Sequence, residues 1–525
     1  MDKSLNKYML TGNECWLTAL LCLFFTVPCF YRVFLNGSDS VWYLMAAIVA
    51  SLPLAFILQS IRRLWVFVLV LTFILLSPFV ESFLIVVYHD FIRTGNLLSV
   101  ATTTKRESGN FFANNFKILV YEIPVVLLYI ASIIQKKRTE TRARVYIYYV
   151  LITPLFTFLV SLCGYRVFSN PPYNIYVEES NAMLQQLSRR LYIGEGDKMT
   201  FGAERDTVSE REIYVFGVGE SLRYDHTTLG GYERNTTPLL AQNPNLISFS
   251  DYCSTATLTF YSVPMMLSRA TSKNFNLHYR QRGVAEVYKE CGFKVYVISC
   301  KKLLANQPYL TRGADSIFAV SNDIEAPRLI DSLSTIYPKT FFIVQLLQCH
   351  SYYNNFTPEF DKYHPNLVSD EGVKSDSLYL NAYDNCVLYT DHVISAVLDT
   401  INKPGVRSAL LFASDHGEIL TMHGSRRGNS LTPTPDEYHV PFIFWYSDAW
   451  KASHASALTQ AMKHKDEPLN ADVMFYSACD MADITLPERY AKPEKSIFSE
   501  NFTRYKRLMI LPDGRSLKNQ DKHKK

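Results

Sequence analysis

The sequence predicts a chain of two parts: an α-helical membrane domain of five spans, followed by an α/β soluble domain with a mainly parallel central sheet. Two observations support this division of the 525 residues. Long apolar stretches recur up to about Arg166, and beyond it short apolar runs alternate with helix-length segments. The predicted parts are a membrane domain at 1–166, a linker at 167–210 and a soluble domain at 211–525.

Five stretches of the first part have the length and apolarity of membrane spans, since a span needs about 20 apolar residues. The third and fourth stretches each contain one acid, Glu81 and Glu122, near their predicted outer ends. The first stretch has no small-residue cleavage site and another span follows at once, so we expect it to be retained. The predicted spans are 15–31, 41–61, 64–87, 118–134 and 145–165.

Basic residues give the orientation of the spans. Lys3 and Lys7 precede the first span, Arg62 and Arg63 separate the second from the third, and five Lys or Arg residues lie within 136–144. All three segments fall on one side if five helices alternate, and the excess of Lys and Arg marks that side as cytoplasmic. The soluble part is therefore expected outside the cytoplasm.

The soluble part contains short apolar runs that are rich in β-branched and aromatic residues. They do not alternate with polar residues, which is typical of strands covered on both faces. Helix-length segments separate them, so we predict an α/β sheet. The runs are 213–218, 293–299, 341–347, 408–413 and 441–446.

Polar side chains follow three of these predicted strands. Glu220 follows the first, His350 follows the third, and Asp415 and His416 follow the fourth. In open α/β sheets, ligands bind beyond the carboxyl ends of the strands. Two carboxylates and a histidine form a suitable ligand set for a divalent metal. A single Asp-His after a strand is usually a loop with a helix cap, but three strand ends together favour a metal site.

A hydroxyl-rich stretch, "DYCSTATLTFYSVPMMLS" at 251–268, precedes a predicted helix. Thr255 is expected near the helix N-terminus, where backbone N–H groups favour an anion. A hydroxyl bound to a dication there loses its proton more readily and can attack phosphorus. The alternative is that Ser254, Thr255 and Thr257 only cap the helix.

The charge and the cysteines restrict other classes of function. The net charge is +4 and the sequence has a lysine-rich end, but no segment resembles a nucleic-acid-binding module. No nucleic-acid partner is therefore expected. Six of the ten cysteines follow the fifth predicted span. An exported domain can keep disulfides, and six cysteines allow about 15 pairings, but free buried thiols are the alternative.

Several motifs together resemble the phosphoethanolamine transferases of bacterial inner membranes, which belong to the alkaline-phosphatase-like superfamily. Five spans before one periplasmic domain also match that family, and the resemblance extends over almost the whole chain. The motifs are "GESLRYDHTTLGGYERNTTP", "CSTATLTFYSVPMMLS", "CGFKVYVIS", "YDNCVLYTDHVISAVLD", "SDHGE" and "EYHVPFIFW".

The resemblance implies a zinc ion held by Glu220, Asp415 and His416, with one tight site and a second metal possible. Thr255 in "CSTAT", where the family has C-G-T-A-T, is implied as nucleophile and fourth ligand. Ser254 replaces the glycine of that motif. Asp225 and His226, in the first motif, are interpreted as structural rather than catalytic.

The resemblance also implies residues that contact the substrate phosphate. His350, which follows Gln348-Cys349 where the family has Gly-Ser, would bind the phosphate or protonate a leaving oxygen. His423 in "MHG" matches a second family histidine, and His439 in "EYHVP" competes for that role. Glu107, within 101–112, would be the acid that an outer loop of the family carries near the active site.

The implied reaction moves phosphoethanolamine from phosphatidylethanolamine to an envelope acceptor, with lipid A first in order. It passes through a covalent threonine intermediate and releases diacylglycerol into the bilayer. A phosphoglycerol transferase or phosphodiesterase of the same superfamily would use the same metal site. A sulfatase with formylglycine is disfavoured because the sequence contains no C-x-P-x-R. A membrane receptor or transporter is the non-enzymatic alternative.

Overall fold

The structure is a computed structural model. It describes residues 9–36, 41–88, 91–100, 108–109, 116–140, 142, 146, 149–155, 158, 171–196, 199–206, 210–300, 308–347, 349–350, 353–369, 377–420, 432–514 and 517–519. The chain divides into two compact units. The first contains residues 1–97 and 103–183, and the second contains residues 98–102 and 184–525.

The first unit is helical. Within the described residues, three helices are long and apolar enough to cross a membrane, at Gly12–Leu35, Leu64–Val87 and Phe116–Arg138. They correspond to the first, third and fourth predicted spans. The second predicted span coincides with a helix at Val41–Ser60. The apolar part of this helix, Leu44–Ser60, is shorter than the three helices above. Most of the fifth predicted span lies outside the described residues, so the count of five is not confirmed.

The helices of the first unit are α1 Gly12–Asn36, α2 Val41–Ser60, α3 Leu64–Tyr88, α4 Thr94–Val100, a 3₁₀ helix at Phe116–Glu122 that continues into α5 Ile123–Arg138, and α6 Asn174–Gly196, which extends into the second unit. An apolar core that includes Leu21, Phe25 and Phe67 joins α1, α2 and α3. Large apolar side chains also remain exposed on these helices, among them Phe73 and Leu127. Exposed apolar side chains on long helices are expected for a lipid-facing surface.

The second unit is an α/β domain. Its longer helices are α7 Thr259–Leu267, α8 Val284–Glu290, α9 Glu325–Ser334, α10 Ser377–Ile401, α11 Asp448–Ser453, α12 Ala455–Lys463 and α13 Met474–Met481. Four-residue helices lie at Pro238–Ala241, Leu277–Arg280, Pro308–Thr311 and Pro435–Tyr438. Its strands are β1 Glu212–Gly219, β2 Leu246–Phe249, β3 Tyr252–Cys253, β4 Lys294–Ser299, β5 Ser316–Ala319, β6 Lys339–Gln345, β7 Arg407–Ser414, β8 Phe442–Tyr446, β9 Leu469–Asn470, β10 Leu508–Ile510 and β11 Leu517–Asn519.

The central sheet has seven strands in the order β2-β8-β7-β1-β6-β4-β5. The strands from β7 to β5 are parallel, and β8 runs antiparallel to β7 and to β2. All five predicted strands are present and the prediction of a mainly parallel sheet is confirmed. The two edge strands, β2 and β5, were not predicted, because they are short and only partly buried.

Both faces of the sheet are covered, which explains the uninterrupted apolar runs. Along β1, Tyr214 and Phe216 belong to one apolar core, and Ile213 and Val215 belong to the core on the opposite face. The long helix α10 covers the second face, where Val387 and Val393 join that core. Every residue of β1 is therefore buried.

An ion pair lies at the start of β1. Arg205 donates two hydrogen bonds to Glu212, with N–O distances of 2.6 and 2.9 Å, and Tyr214 donates to the same carboxylate at 3.1 Å. The Arg205 and Glu212 side chains are 3% and 0% exposed. Because both charges are removed from water, each depends on the other for compensation.

We predict that Glu212→Gln lowers the free energy of unfolding by about 3–5 kcal/mol, since it leaves the Arg205 charge buried without its partner. Denaturant unfolding of the full-length protein in detergent measures this change. Asp331→Asn is the matched control, because Asp331 pairs with Lys403 at 2.6 Å but is 62% exposed. An exposed pair contributes about 0–1 kcal/mol. Equal losses in the two variants would contradict the prediction.

Candidate metal centre

The loops of the candidate site follow three neighbouring strands. β1 lies between β7 and β6 in the sheet, with all three strands parallel. Two backbone hydrogen bonds continue the pairing past the strand ends, from Leu346 N to Val218 O at 2.9 Å and from Asp415 N to Gly219 O at 3.1 Å. The residues that follow β1, β6 and β7 therefore lie at one edge of the sheet, as predicted.

Glu220, Asp415 and His416 form a compact group at this edge. One ligand atom from each lies within 4.8 Å of the others. His416 Nε2 is 3.7 Å from Glu220 Oε1 and 3.5 Å from Asp415 Oδ2. The three residues are 3%, 1% and 3% exposed, respectively. Two carboxylates so close together and shielded from water repel each other unless a cation lies between them.

Hydrogen bonds orient the imidazole of His416. Its Nδ1 lies 2.8 Å from the carbonyl oxygen of Gly417, and its backbone N–H donates to Asp415 Oδ1 at 2.8 Å. A carbonyl next to Nδ1 selects the tautomer that carries the proton on Nδ1. Nε2 is then the nitrogen with a lone pair, and it faces the two carboxylates. Metal-binding histidines are usually oriented in this way.

The residue after Glu220 has a backbone conformation that non-glycine residues rarely adopt. Ser221 has φ 58°. Its N–H donates to Asp415 Oδ1 at 3.1 Å, its hydroxyl donates to Glu220 Oε1 at 3.1 Å, and its carbonyl accepts from the Tyr383 hydroxyl at 2.7 Å. Strained backbone of this kind is concentrated at functional sites, where the surroundings stabilise it. Ser221 thus links both carboxylates of the group.

Gly417 permits a close approach of two loops. Its N–H donates to the carbonyl of Glu437 at 2.8 Å, and a Cβ at this position would lie 2.1 Å from the carbonyl oxygen of Asp436. The contact brings the buried Glu437 side chain near His416. Burial, with the Glu418 carboxylate also nearby, raises the pKa of Glu437 to about 7. The Glu437 carboxylate accepts from the backbone N–H of Thr434 at 2.9 Å in a capping box, and its approach to His416 was not predicted because the two loops are about 20 residues apart in the chain.

The hydroxyl-rich segment runs alongside the group. Ser254 donates to the carbonyl of Asp415, and the hydroxyl of Thr259 lies 3.3 Å from His416 Nε2. Thr259 is the first residue of α7 and is partly exposed. Thr255 is 0% exposed, its hydroxyl has no hydrogen-bond partner among the described residues, and its carbonyl accepts from Ile510 N at 2.8 Å. The helix therefore begins one turn later than the sequence predicted, and the hydroxyl in contact with the group belongs to Thr259.

His350 lies in the turn after β6, and its N–H donates to the carbonyl of Leu347 at 3.1 Å. The neighbouring Cys349 is buried. Burial raises the pKa of the Cys349 thiol, and the charge of the Glu220 carboxylate adds to this effect. This segment therefore lies near the metal group, at the edge where the prediction placed it.

His439 is not part of the group. Its Nε2 lies 3.1 Å from the carbonyl of Ser250, and its backbone pairs with Cys253. The imidazole thus helps to hold the start of the hydroxyl-rich segment. His423 and Glu107, the other predicted substrate contacts, lie outside the described residues.

His226 belongs to a second buried network, which the sequence did not predict. Asp384 on α10 is within 2.8 Å of His226 Nδ1, and it accepts from the Tyr232 hydroxyl at 2.9 Å and from Arg234 at 2.7 Å. Asp225 instead binds Arg223 through both oxygens, at 2.9 and 2.6 Å. Burial opposes the charge of Asp225, but the Arg223 hydrogen bonds hold its pKa below the usual range. Asp225 and His226 therefore fix the loop that follows Glu220.

All six cysteines of the second unit are free thiols in the structure: Cys253, Cys291, Cys300, Cys349, Cys386 and Cys479. Four of them are buried. The domain core therefore forms from apolar packing without a disulfide among these six residues.

The fold and the group of ligands define an alkaline-phosphatase-like domain, in which a mainly parallel sheet carries a candidate metal centre at its carboxyl edge. The family model described as Sulfatase matches residues 212–484, slightly more than half of the chain. The chain belongs to the sulfatase family.

Curated proteins of similar sequence show which members of the sulfatase family the chain resembles. The Kdo(2)-lipid A phosphoethanolamine 7''-transferase of Escherichia coli (strain K12) is 28% identical over 295 residues, which cover 51% of this chain and 50% of that protein. The chain thus spans about half the length of the curated relatives it matches. The resemblance to phosphoethanolamine transferases that the motifs indicated is confirmed.

Solved structures share the fold. The integral membrane lipooligosaccharide phosphoethanolamine transferase A (EptA) from Neisseria meningitidis superposes with a TM-score of 0.72 at 19% identity, covering 93% of this chain and 98% of that one. The C-terminal periplasmic domain of E. coli EptC, in complex with Zn, gives a TM-score of 0.53 at 23% identity, covering 61% of this chain and 95% of that one.

We predict that Glu220→Gln and Asp415→Asn each weaken zinc binding by roughly two orders of magnitude or more, because each removes a charged ligand. Titration of the chelator-treated full-length protein with zinc, followed by mass spectrometry of the bound metal, measures the affinity. Asp399→Asn, a neutral substitution of an exposed acid on α10, should bind zinc like the unmodified protein. Unchanged affinity in all three variants would exclude the group as a metal site.

Proposed function

We propose that the protein transfers phosphoethanolamine from phosphatidylethanolamine to lipid A or a related envelope glycolipid. The observation that carries the proposal is the hydroxyl of Thr259, 3.3 Å from Nε2 of a histidine that also faces two buried carboxylates. The names of the relatives support phosphoethanolamine as the transferred group and a lipid A-type acceptor. They describe phosphoethanolamine transferases of Kdo(2)-lipid A and of lipooligosaccharide.

Glu220, Asp415 and His416 would hold a zinc ion, and their two oxygens and one nitrogen suit this metal. The zinc complex of the EptC domain supports the same choice. When bound, the metal would neutralise charge on the phosphate and lower the pKa of a nearby hydroxyl. One tight site is proposed, with a second metal as a further possibility.

Thr259 is proposed as the nucleophile in place of Thr255. Thr259 is the first residue of α7, and the N-terminus of a helix favours a phosphate. Thr259 is partly exposed, so a lipid phosphate can reach it. Thr255 is fully buried, and pairing of Ala256 with Ile510 holds its backbone.

The proposed reaction has two displacements. In the first, Thr259 Oγ1 loses its proton to solvent water and forms a bond to phosphorus, and the bond from phosphorus to the glycerol oxygen breaks. The diacylglycerol oxygen takes a proton from His350, its proposed acid. In the second, an oxygen of the acceptor phosphate bonds to phosphorus, and the bond from phosphorus to Thr259 Oγ1 breaks. Solvent water then returns one proton to Thr259 Oγ1 and one to His350. His423, with His439 as the alternative, is proposed to contact the phosphate, and Glu107 to contact the substrate.

The proposed location is the bacterial inner membrane, with the second unit in the periplasm. The long apolar helices support membrane insertion, and the basic segments support a location of the second unit outside the cytoplasm. Both lipids would then be confined to the same bilayer as the enzyme, which raises their effective concentration. The proposed domain boundaries remain 1–166, 167–210 and 211–525.

Thr259→Ala should lower transferase activity by at least about a thousandfold, because it removes the attacking oxygen. Thr259→Ser should keep measurable activity, since it retains the hydroxyl. Thr255→Ala, four residues earlier in the chain, should keep transferase activity within about tenfold of that of the unmodified protein. Any loss would arise from packing. Peptide mass spectrometry of a quenched reaction should find the phosphoethanolamine adduct on Thr259. An active Thr259→Ala variant together with an inactive Thr255→Ala variant would return the role to Thr255.

The donor and acceptor can be tested with vesicles that contain purified lipid A and one labelled phospholipid. Phosphatidylethanolamine labelled in its head group should transfer label to lipid A with release of diacylglycerol, and labelled phosphatidylglycerol should not. Transfer from phosphatidylglycerol alone would indicate a phosphoglycerol transferase. Release of free phosphoethanolamine without transfer would indicate a phosphodiesterase. Absence of turnover with either lipid would support the receptor alternative.

A further inference from the structure

Four acidic side chains are buried among the described residues of the first unit. Three of them have clear hydrogen-bond partners, as a buried charge requires. Arg142 and Tyr146 bind Glu14, Asn174 and the backbone of Ile92 bind Glu81, and Thr94 binds Glu178. The fourth, Glu122, differs from these three.

Glu122 is 3% exposed, and neither of its carboxylate oxygens has a hydrogen-bond partner among the described residues. It lies where the 3₁₀ helix Phe116–Glu122 continues into α5. An acid at a helix start often caps the backbone, but Glu122 makes no such hydrogen bond.

Glu122 lies on a helical segment with exposed apolar side chains, next in the chain to one member of an aromatic pair. On the same helix, Phe116 and Val120 are 70% and 57% exposed, as expected for side chains that face lipid. The Tyr31 hydroxyl donates to the carbonyl of Tyr121, and the two rings meet edge to face with centroids 5.9 Å apart. Tyr31 is also close enough to interact with the charge of Glu122. A carboxylate beside tyrosine rings is a favourable environment for an ammonium group.

The position of Glu122 along its helix agrees with a lipid head group. The basic residues Lys136, Lys137 and Arg138 end the same helix. Glu122 is 14 positions before Lys136, about 21 Å along a helix at 1.5 Å per residue. Since the basic end marks the cytoplasmic side, Glu122 is near the outer side, where donor lipid head groups are expected.

We propose that Glu122 binds the ammonium group of phosphatidylethanolamine within the membrane domain. The site rests on the proposed function for the identity of its ligand. An ionisable group inside a membrane span is costly and is usually retained for function. The carboxylate would gain its missing counter-charge from the primary amine of the donor, and Tyr31 and Tyr121 would contact the same group.

The test uses full-length protein in nanodiscs of phosphatidylglycerol with increasing phosphatidylethanolamine, and it measures diacylglycerol release. Glu122→Gln keeps the shape of the side chain and removes the charge. It should raise the half-saturating fraction of phosphatidylethanolamine by about tenfold, the loss expected for one charge-assisted hydrogen bond. The limiting rate should stay within about twofold, because Glu122 does not contact the phosphorus. Glu122→Asp should recover part of the affinity, and Glu179→Gln, at an exposed acid of α6, should have no effect.

N-acetylated phosphatidylethanolamine, which lacks the positive charge, supplies a second comparison. The unmodified protein and Glu122→Gln should use it equally poorly. If Glu122→Gln matches the unmodified protein on phosphatidylethanolamine, the carboxyl is simply protonated and the inference is wrong.

Lipid retention separates this inference from the proposed reaction. Native mass spectrometry of the unmodified protein should detect bound phosphatidylethanolamine in preference to phosphatidylglycerol, and Glu122→Gln should lose that preference. Preferential retention without turnover would support the binding site and count against the proposed transferase. Turnover without preferential retention would support the transferase and overturn the site.

Discussion

The close approach of two buried carboxylates and a histidine at the carboxyl edge of the sheet is the constraint on which the second unit depends. Glu220 and Asp415 are brought together by strands that are adjacent in space but almost two hundred residues apart in the chain. Their mutual repulsion away from water is large, and a divalent cation is the natural compensation. The parallel pairing of β1 and β7 therefore brings together two buried carboxylates whose charges a divalent cation would compensate.

The residues around this group keep its geometry rather than add charge to it. Ser221 adopts a strained conformation that brings its N–H to Asp415 and its hydroxyl to Glu220. Tyr383, from α10 on one face of the sheet, accepts from Arg223 N and donates to the carbonyl of Ser221. Such contacts preorganise ligands before a metal or substrate binds, which is how sites of this kind achieve affinity and rate.

Two buried carboxylates among the described residues differ in their hydrogen bonds. Asp384 is fully buried, and both its oxygens are bound by His226, Tyr232 and Arg234. An acid with saturated hydrogen bonds fixes a loop and is not available to a ligand. Glu122, by contrast, has no hydrogen-bond partner among the described residues. Burial alone therefore does not distinguish these two acids, whereas the hydrogen-bond donors around each of them do.

The sequence by itself determined the alternation of strands and helices and the residues at three strand ends. It did so because the carboxyl ends of parallel strands meet at one edge, so Glu220, Asp415 and His416 could be grouped before any coordinates. It did not reveal the network around Asp384 or the edge strands, whose partners are remote in the chain. Only the tertiary structure showed that two threonines four residues apart differ in their surroundings, since Thr255 is fully buried and the hydroxyl of Thr259 lies 3.3 Å from His416 Nε2. The C-terminal segment pairs at Ile510 with Thr255 and Ala256 and keeps them extended. Helix α7 therefore begins at Thr259, and the hydroxyl of that residue reaches His416.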